Sequence, residues 1–134
     1  MKNVNSHKIS FRVRYSETDQ MGVVYHGKYA DYLEIGRTEW LRNLGITYKQ
    51  MEASGIVLPV VNLQINYKKP AKYDDLLTVL TKLHKMPMVK IAFDNKIYNE
   101  SSELLVEAHT VLSFIDTKAM KPMRCPNYIL EKLR

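Results

Sequence analysis

The chain is poor in several features that would narrow its function. Cys125 is the only cysteine among 134 residues, so no intrachain disulfide can form and a reducing compartment is expected. No apolar run approaches the roughly 18 residues that cross a bilayer, so no integral membrane segment is expected. The opening residues, Met1 to His7, are polar and lack the apolar stretch of an export signal. A cytoplasmic protein is therefore expected. There is no glycine-rich phosphate loop and no Gly-x-Ser-x-Gly elbow, which argues against a nucleotide hydrolase and a serine esterase. Repeats, low-complexity segments and linkers are missing too, and the length suits one domain over residues 1–134. Acidic residues are in deficit, 14 against 20 basic, giving a net charge of +6 and a pI near 9.4. That balance favours anionic partners. The basic residues are nevertheless scattered, with Lys68-Lys69 the densest pair outside the termini, and form no stripe of a nucleic-acid module.

Apolar residues make up 46% of the chain, enough for a packed core. Their spacing separates strands from helices. Ile9, Phe11, Val13 and Tyr15 alternate with polar residues, as in a half-buried strand. From Gly27 to Leu44 the period changes, and Tyr29, Leu33, Gly36, Trp40 and Leu44 fall on one helical stripe. Gly36 inside that stripe costs about 1 kcal/mol of helix propensity relative to alanine. Close approach to a flat partner such as a sheet would justify it. Gly45 is a C-cap candidate, and a short helix is expected from Tyr48 to Ala53. Period-two patterns then recur over 61–67, 77–83 and 89–93, and a long apolar strand runs from Leu104 to Ile115. Pro126 opens a short C-terminal helix through Leu133. The short connections between strands imply antiparallel neighbours. One helix long enough to cover one face of five strands gives an α+β protein, a sheet wrapped on a central helix. The uncovered face must be polar or lie against another subunit, so an oligomer is expected.

The segment from Tyr15 to Tyr29 places one acid, Asp19, in a loop just before the long helix. The first turn of a helix has backbone N–H groups without intrahelical partners and partial positive charge. A carboxylate beside such donors suits acyl transfer, with the donors holding an oxyanion. Asp before a helix is also a common cap or turn residue, but the distance from Asp19 to Tyr25-His26 is longer than a cap needs.

The run Arg14-Tyr15-Ser-Glu-Thr-Asp19-Gln-Met-Gly22-Val-Val24-Tyr25-His26-Gly-Lys-Tyr29 resembles the signature of the 4-hydroxybenzoyl-CoA thioesterase-like family, in the branch associated with the Tol–Pal system. Arg37-Thr38-Glu39, Tyr67-Lys-Lys-Pro70-Ala71, Asp74-Asp75, Asp116 and Lys121-Pro122 extend the similarity. The resemblance implies a hot-dog fold, hydrolysis of acyl-CoA thioesters without a metal, and active sites between subunits of a homo-oligomer, a dimer of dimers. No cofactor is implied beyond the coenzyme A of the substrate. It also implies that Asp19 is the catalytic carboxylate, as nucleophile or as general base, and that His26 supplies the oxyanion donor through its backbone N–H. The His26 side chain could serve instead as an acid or base. Met21 and Lys28 depart from the smaller or uncharged residues of many relatives, which bears on substrate choice.

Around this pair, Tyr15, Val24 and Tyr25 are candidates to orient Asp19 or line the pocket, and Gly22 shapes the loop. Glu34 either touches the acyl end of a substrate or pairs with Arg37 at i+3. Lys68, Lys69, Lys85 and Lys90 are candidates for the phosphates of coenzyme A. His84 and His109 read as solitary strand residues, with no cluster of metal ligands in view, and Cys125 reads as incidental. The main alternative is a hot-dog protein that binds acyl-CoA or acyl-carrier lipid without turning it over. A dehydratase or isomerase would need a histidine with an acid in a different loop context.

Overall fold

The computed structural model describes residues 5–134; the polar opening read in the sequence falls partly outside them, at residues 1–4. Strand β1 (Ser6–Arg12) leads through a loop to helix α1 (Lys28–Asn43) and the short helix α2 (Tyr48–Ala53). Four strands follow: β2 (Ile56–Val57), β3 (Val60–Tyr67), β4 (Leu76–Leu83) and β5 (Lys90–Tyr98). Then come β6 (Leu104–Ser113), β7 (Ile115–Asp116), β8 (Lys121–Pro122) and helix α3 (Asn127–Leu133). The main sheet has five strands in the order β1-β4-β5-β6-β3, with every neighbouring pair antiparallel. A small sheet, β2-β7-β8, sits beside it.

Helix α1 packs where the stripe placed it: Tyr29, Leu33, Gly36, Trp40 and Leu44 are all buried. Its N-terminal half packs Tyr29, Tyr32 and Leu33 with Leu77, Val79, Ile97 and Val106. Its C-terminal half packs Trp40, Leu41 and Leu44 with Ile91, Phe93, Leu112 and α3. Gly36 touches the sheet between these clusters. A Cβ there would lie 2.5 Å from Thr81 Oγ1 and 2.8 Å from Val79 Cγ1. Gly36→Ala should therefore destabilise the protein despite its better helix propensity, by about 1–3 kcal/mol; urea unfolding measures it.

Three expectations change. The first strand stops at Arg12, where the β1–β4 ladder ends at Leu76, and Tyr15 lies in a 3₁₀ turn rather than in the sheet. The long strand to Ile115 breaks at Phe114. Its last residues leave for the small sheet, and Phe114 is buried between. The short connection from Tyr67 to Leu76 does not make β3 and β4 neighbours, for they lie at different places in the sheet. That connection passes beneath the start of α1. Ala71 is fully buried there, its carbonyl accepting from Val24 N–H at 2.8 Å and its N–H donating to Tyr29 Oη at 3.2 Å.

The face of the sheet turned away from α1 is mostly polar: Lys8, Arg12, Gln64, Lys82 and Lys96 stand on it, all exposed, with Leu80, Ala92 and Val111 half-buried among them. Strand β3 pairs with β6, and no strand among the described residues pairs with its other edge.

Candidate active site

The loop after β1 is built around a buried acid that the sequence reading passed over. Glu17 closes the 3₁₀ turn Tyr15–Glu17 and is 7% exposed. Its Oε1 accepts from Arg14 N–H at 2.8 Å and from the Tyr32 hydroxyl of α1 at 3.0 Å, while Oε2 faces the Arg14 guanidinium at 3.3 Å. Burial pushes the carboxyl pKa up, but these bonds outweigh it and hold the group below its ordinary value. Burial and the bond to Glu17 in turn raise the Tyr32 hydroxyl beyond the usual phenol range. The Glu17 carbonyl also accepts from Tyr25 N–H at 3.0 Å, so one residue ties both ends of the loop. The available signal was a glutamate three residues after Arg14, the spacing of a reciprocal cap.

Asp19 sits at the tip of that loop. Its N–H donates to Val23 O at 2.8 Å and its carbonyl accepts from Gly22 N–H at 3.0 Å. Gly22 adopts φ +77°, a left-handed conformation open to glycine. Asp19 Oδ1 accepts from Met21 N–H at 2.8 Å. Among the described residues nothing engages Oδ2. One oxygen holds the side chain to the loop, and the other has no partner among the described residues.

Helix α1 begins beside it. Among the described residues, the His26 and Gly27 N–H groups have no acceptor. Gly27 is the N-cap residue and offers no side chain to fill that role. Tyr67 of β3 donates its hydroxyl to the His26 carbonyl at 3.2 Å and places its ring 5.4 Å from that of Tyr29. Asp19, Val24, His26, Tyr29, Tyr67 and Lys68 line one cleft of about 360 Å³. Its lining is largely aromatic and aliphatic, and its charged members, Asp19, Lys68 and Lys69, are exposed.

The structure thus brings together Asp19, His26, Val24 and Lys68. Gly22 shapes the loop from outside the cleft. Tyr15 is exposed and meets Tyr73 edge-on without lining the cleft, while Tyr25 packs its ring on that of His26. Glu34 lines a different hollow, with Arg14, Glu17 and Asp31. It does not pair with Arg37, which is buried and faces the Tyr48 hydroxyl instead. Lys85 and Lys90 are not near Asp19 within the chain. Tyr67 pairs with Val106 and Lys90 with Ser113, seven residues further along β6, about 23 Å at strand spacing. His84 and His109 are not solitary, because cross-strand register brings both onto Asp94. Cys125 is buried and makes no contact with the cleft.

A long helix in a wrapped antiparallel sheet, with an acid-bearing loop at the helix N-terminus, is the hot-dog fold. A family model described as the thioesterase-like superfamily matches residues 13–133, and the chain belongs to that family. It is 38% identical over 117 residues to YneP of Bacillus subtilis, covering 87% of this chain and 85% of that protein. It is 32% identical over 123 residues to YbgC of Escherichia coli, named an acyl-CoA thioester hydrolase, covering 92% of each. Among solved structures it is similar to a DHNA-CoA thioesterase of Staphylococcus aureus, with TM-score 0.88 and 36% identity over 94% of this chain and 85% of that one.

Proposed function

We propose that the protein hydrolyses acyl-CoA thioesters to a free acid and coenzyme A. The observation that carries this reading is the meeting, in one cleft, of Asp19 and His26, whose carboxylate oxygen Oδ2 and N–H have no partner among the described residues. The thioester carbonyl rests against the helix, with its oxygen at the His26 N–H. Charge growing on that oxygen is stabilised by donors already oriented. Asp19 Oδ2 either adds to the carbonyl carbon, giving a mixed anhydride that water opens, or takes a proton from the water that adds. In both routes the carbon–sulfur bond breaks and the thiolate leaves and gains a proton. Asp19, the helix terminus and water suffice, with no cofactor beyond the coenzyme A of the substrate. Exposed Lys68 suits its phosphates, and the single cysteine suits a cytoplasmic enzyme.

The test is release of free thiol from short, long and aromatic acyl-CoAs. Turnover on any of them supports hydrolysis. Saturable binding with no thiol released would make the protein a binder.

The proposal includes a second copy of the chain at the open edge of β3. Val61, extruded by a bulge between Val60 and Asn62, is 50% exposed, and Tyr67 of the same edge is 52% exposed. An open apolar edge of this length is an aggregation hazard unless covered. A partner there would also wall the cleft, which Tyr67 and Lys68 leave open. Pairing of such dimers into a tetramer follows the family resemblance. Val61→Asp should shift the assembly to monomer and lower kcat/KM together; light scattering and the thiol assay read both.

A further inference from the structure

The face of the sheet turned away from α1 carries a cluster that the proposed hydrolysis does not use. His84 follows directly after β4, Asp94 lies within β5 and His109 within β6. Asp94 and His109 are direct cross-strand partners. His84 is pinned beside β5 by its N–H, which donates to Ala92 O at 2.9 Å. His84 Nδ1 lies 2.7 Å from Asp94 Oδ2, and His109 Nδ1 lies 2.8 Å from Asp94 Oδ1. The two imidazoles meet edge to face, with centroids 5.1 Å apart. The carboxylate turns both oxygens to the histidines although Lys82 stands opposite it on β4.

Two imidazole nitrogens and a carboxylate oxygen are the ligand types of a borderline divalent ion. Magnesium and calcium prefer oxygen shells. The potential ligand atoms all lie within 4.8 Å of one another. An ion about 2.0–2.2 Å from each ligand requires them roughly 3.3 Å apart in a tetrahedral site. Metal binding would replace the two Nδ1–carboxylate hydrogen bonds by metal bonds, through side-chain rotation on a ladder that fixes the backbones. With both imidazoles neutral the cluster carries one negative charge. It is half open to solvent, which leaves room for water at the remaining positions.

We propose that His84, Asp94 and His109 form a site for a divalent transition-metal ion of the zinc type, which would clip the end of β4 to β5 and β6. The test uses the full chain, stripped with chelator and titrated calorimetrically with ZnCl₂ alone. One saturable site per chain is expected. His84→Ala and Asp94→Asn should each weaken it at least tenfold, and the His84→Ala/His109→Ala double variant should abolish it. Cobalt in place of zinc should give the intense visible absorption of a four-coordinate ion in the wild type and lose it in the double variant. Zinc should also raise the melting temperature of the wild type alone. All three side chains are at least partly exposed, and far-ultraviolet circular dichroism checks that the variants fold. Absence of saturable zinc and cobalt binding by the wild type overturns the proposal. So does unchanged zinc affinity in the double variant, which would place the ion elsewhere, as on His7 or His26.

Discussion

Asp19→Asn should lose at least about 10³-fold in kcat on acyl-CoA, near the upper range for losing a positioned base or nucleophile. Asparagine keeps the size of the side chain, and its amide oxygen can still accept from Met21 N–H as Oδ1 does. The loop should therefore keep its shape, and the melting temperature should move little. What goes is the second oxygen, which nothing in the described residues engages and which the proposed reaction uses. Binding is a separate matter. The cleft walls and Lys68 are untouched, so affinity for substrate should be retained. Thiol release and substrate binding, measured on the same preparation, check both halves. Full activity in this variant would remove Asp19 from the chemistry.

Glu17→Ala should act on stability first and on activity through it. The change leaves the buried Tyr32 hydroxyl and the part-buried Arg14 N–H without their acceptor. An unsatisfied buried donor costs about 1–3 kcal/mol, and Arg14 N–H can turn to water in part, so a loss of about 1–3 kcal/mol is expected in urea unfolding. The Arg14 guanidinium adds little, since its side chain is mostly in solvent. Glu17→Gln should be much milder, because both strong bonds converge on one oxygen that the amide retains. The pair also separates on pH. The folded-state pKa of Glu17 lies below its ordinary value of 4.5. Its contribution is therefore fully present above that value and is lost as pH falls through the lower folded pKa. The wild type should lose stability over this acid window more steeply than Glu17→Gln, as melting temperatures across pH 2–6 would record.

The helix was legible in the sequence because its period is set by burial on one side. Each stripe residue from Tyr29 to Leu44 is buried, and Gly36 meets the sheet that its presence implied. The short helix Tyr48–Ala53 was legible for a related reason, since Gly55 ends the segment and Thr47 caps Gln50 N–H through its side chain. Alternation alone does not say where a ladder ends. Tyr15 continues the pattern of β1, yet the chain turns inward at Val13, whose N–H already bonds Asp75 O. Nor does an apolar run show that its strand has changed sheets, as at Phe114. Asp19 and His26 are seven residues apart and could be read as one unit. Lys90 and Asp19 are joined only by the fold, which keeps them at different ends of the sheet. The His84–Asp94–His109 cluster was hidden for the opposite reason: register gathers residues that sequence spacing scatters.

The lone thiol has a practical consequence for measuring this chemistry. Cys125 is 4% exposed, and burial pushes its pKa up to about 11. At neutral pH the thiol stays protonated and presents little of the nucleophilic sulfur anion. The protein should not form mixed disulfides with the coenzyme it liberates. A disulfide dye added during turnover should consume one equivalent per product molecule, with no background from the polypeptide until it unfolds. A sudden extra equivalent per chain would then report denaturation in the same cuvette.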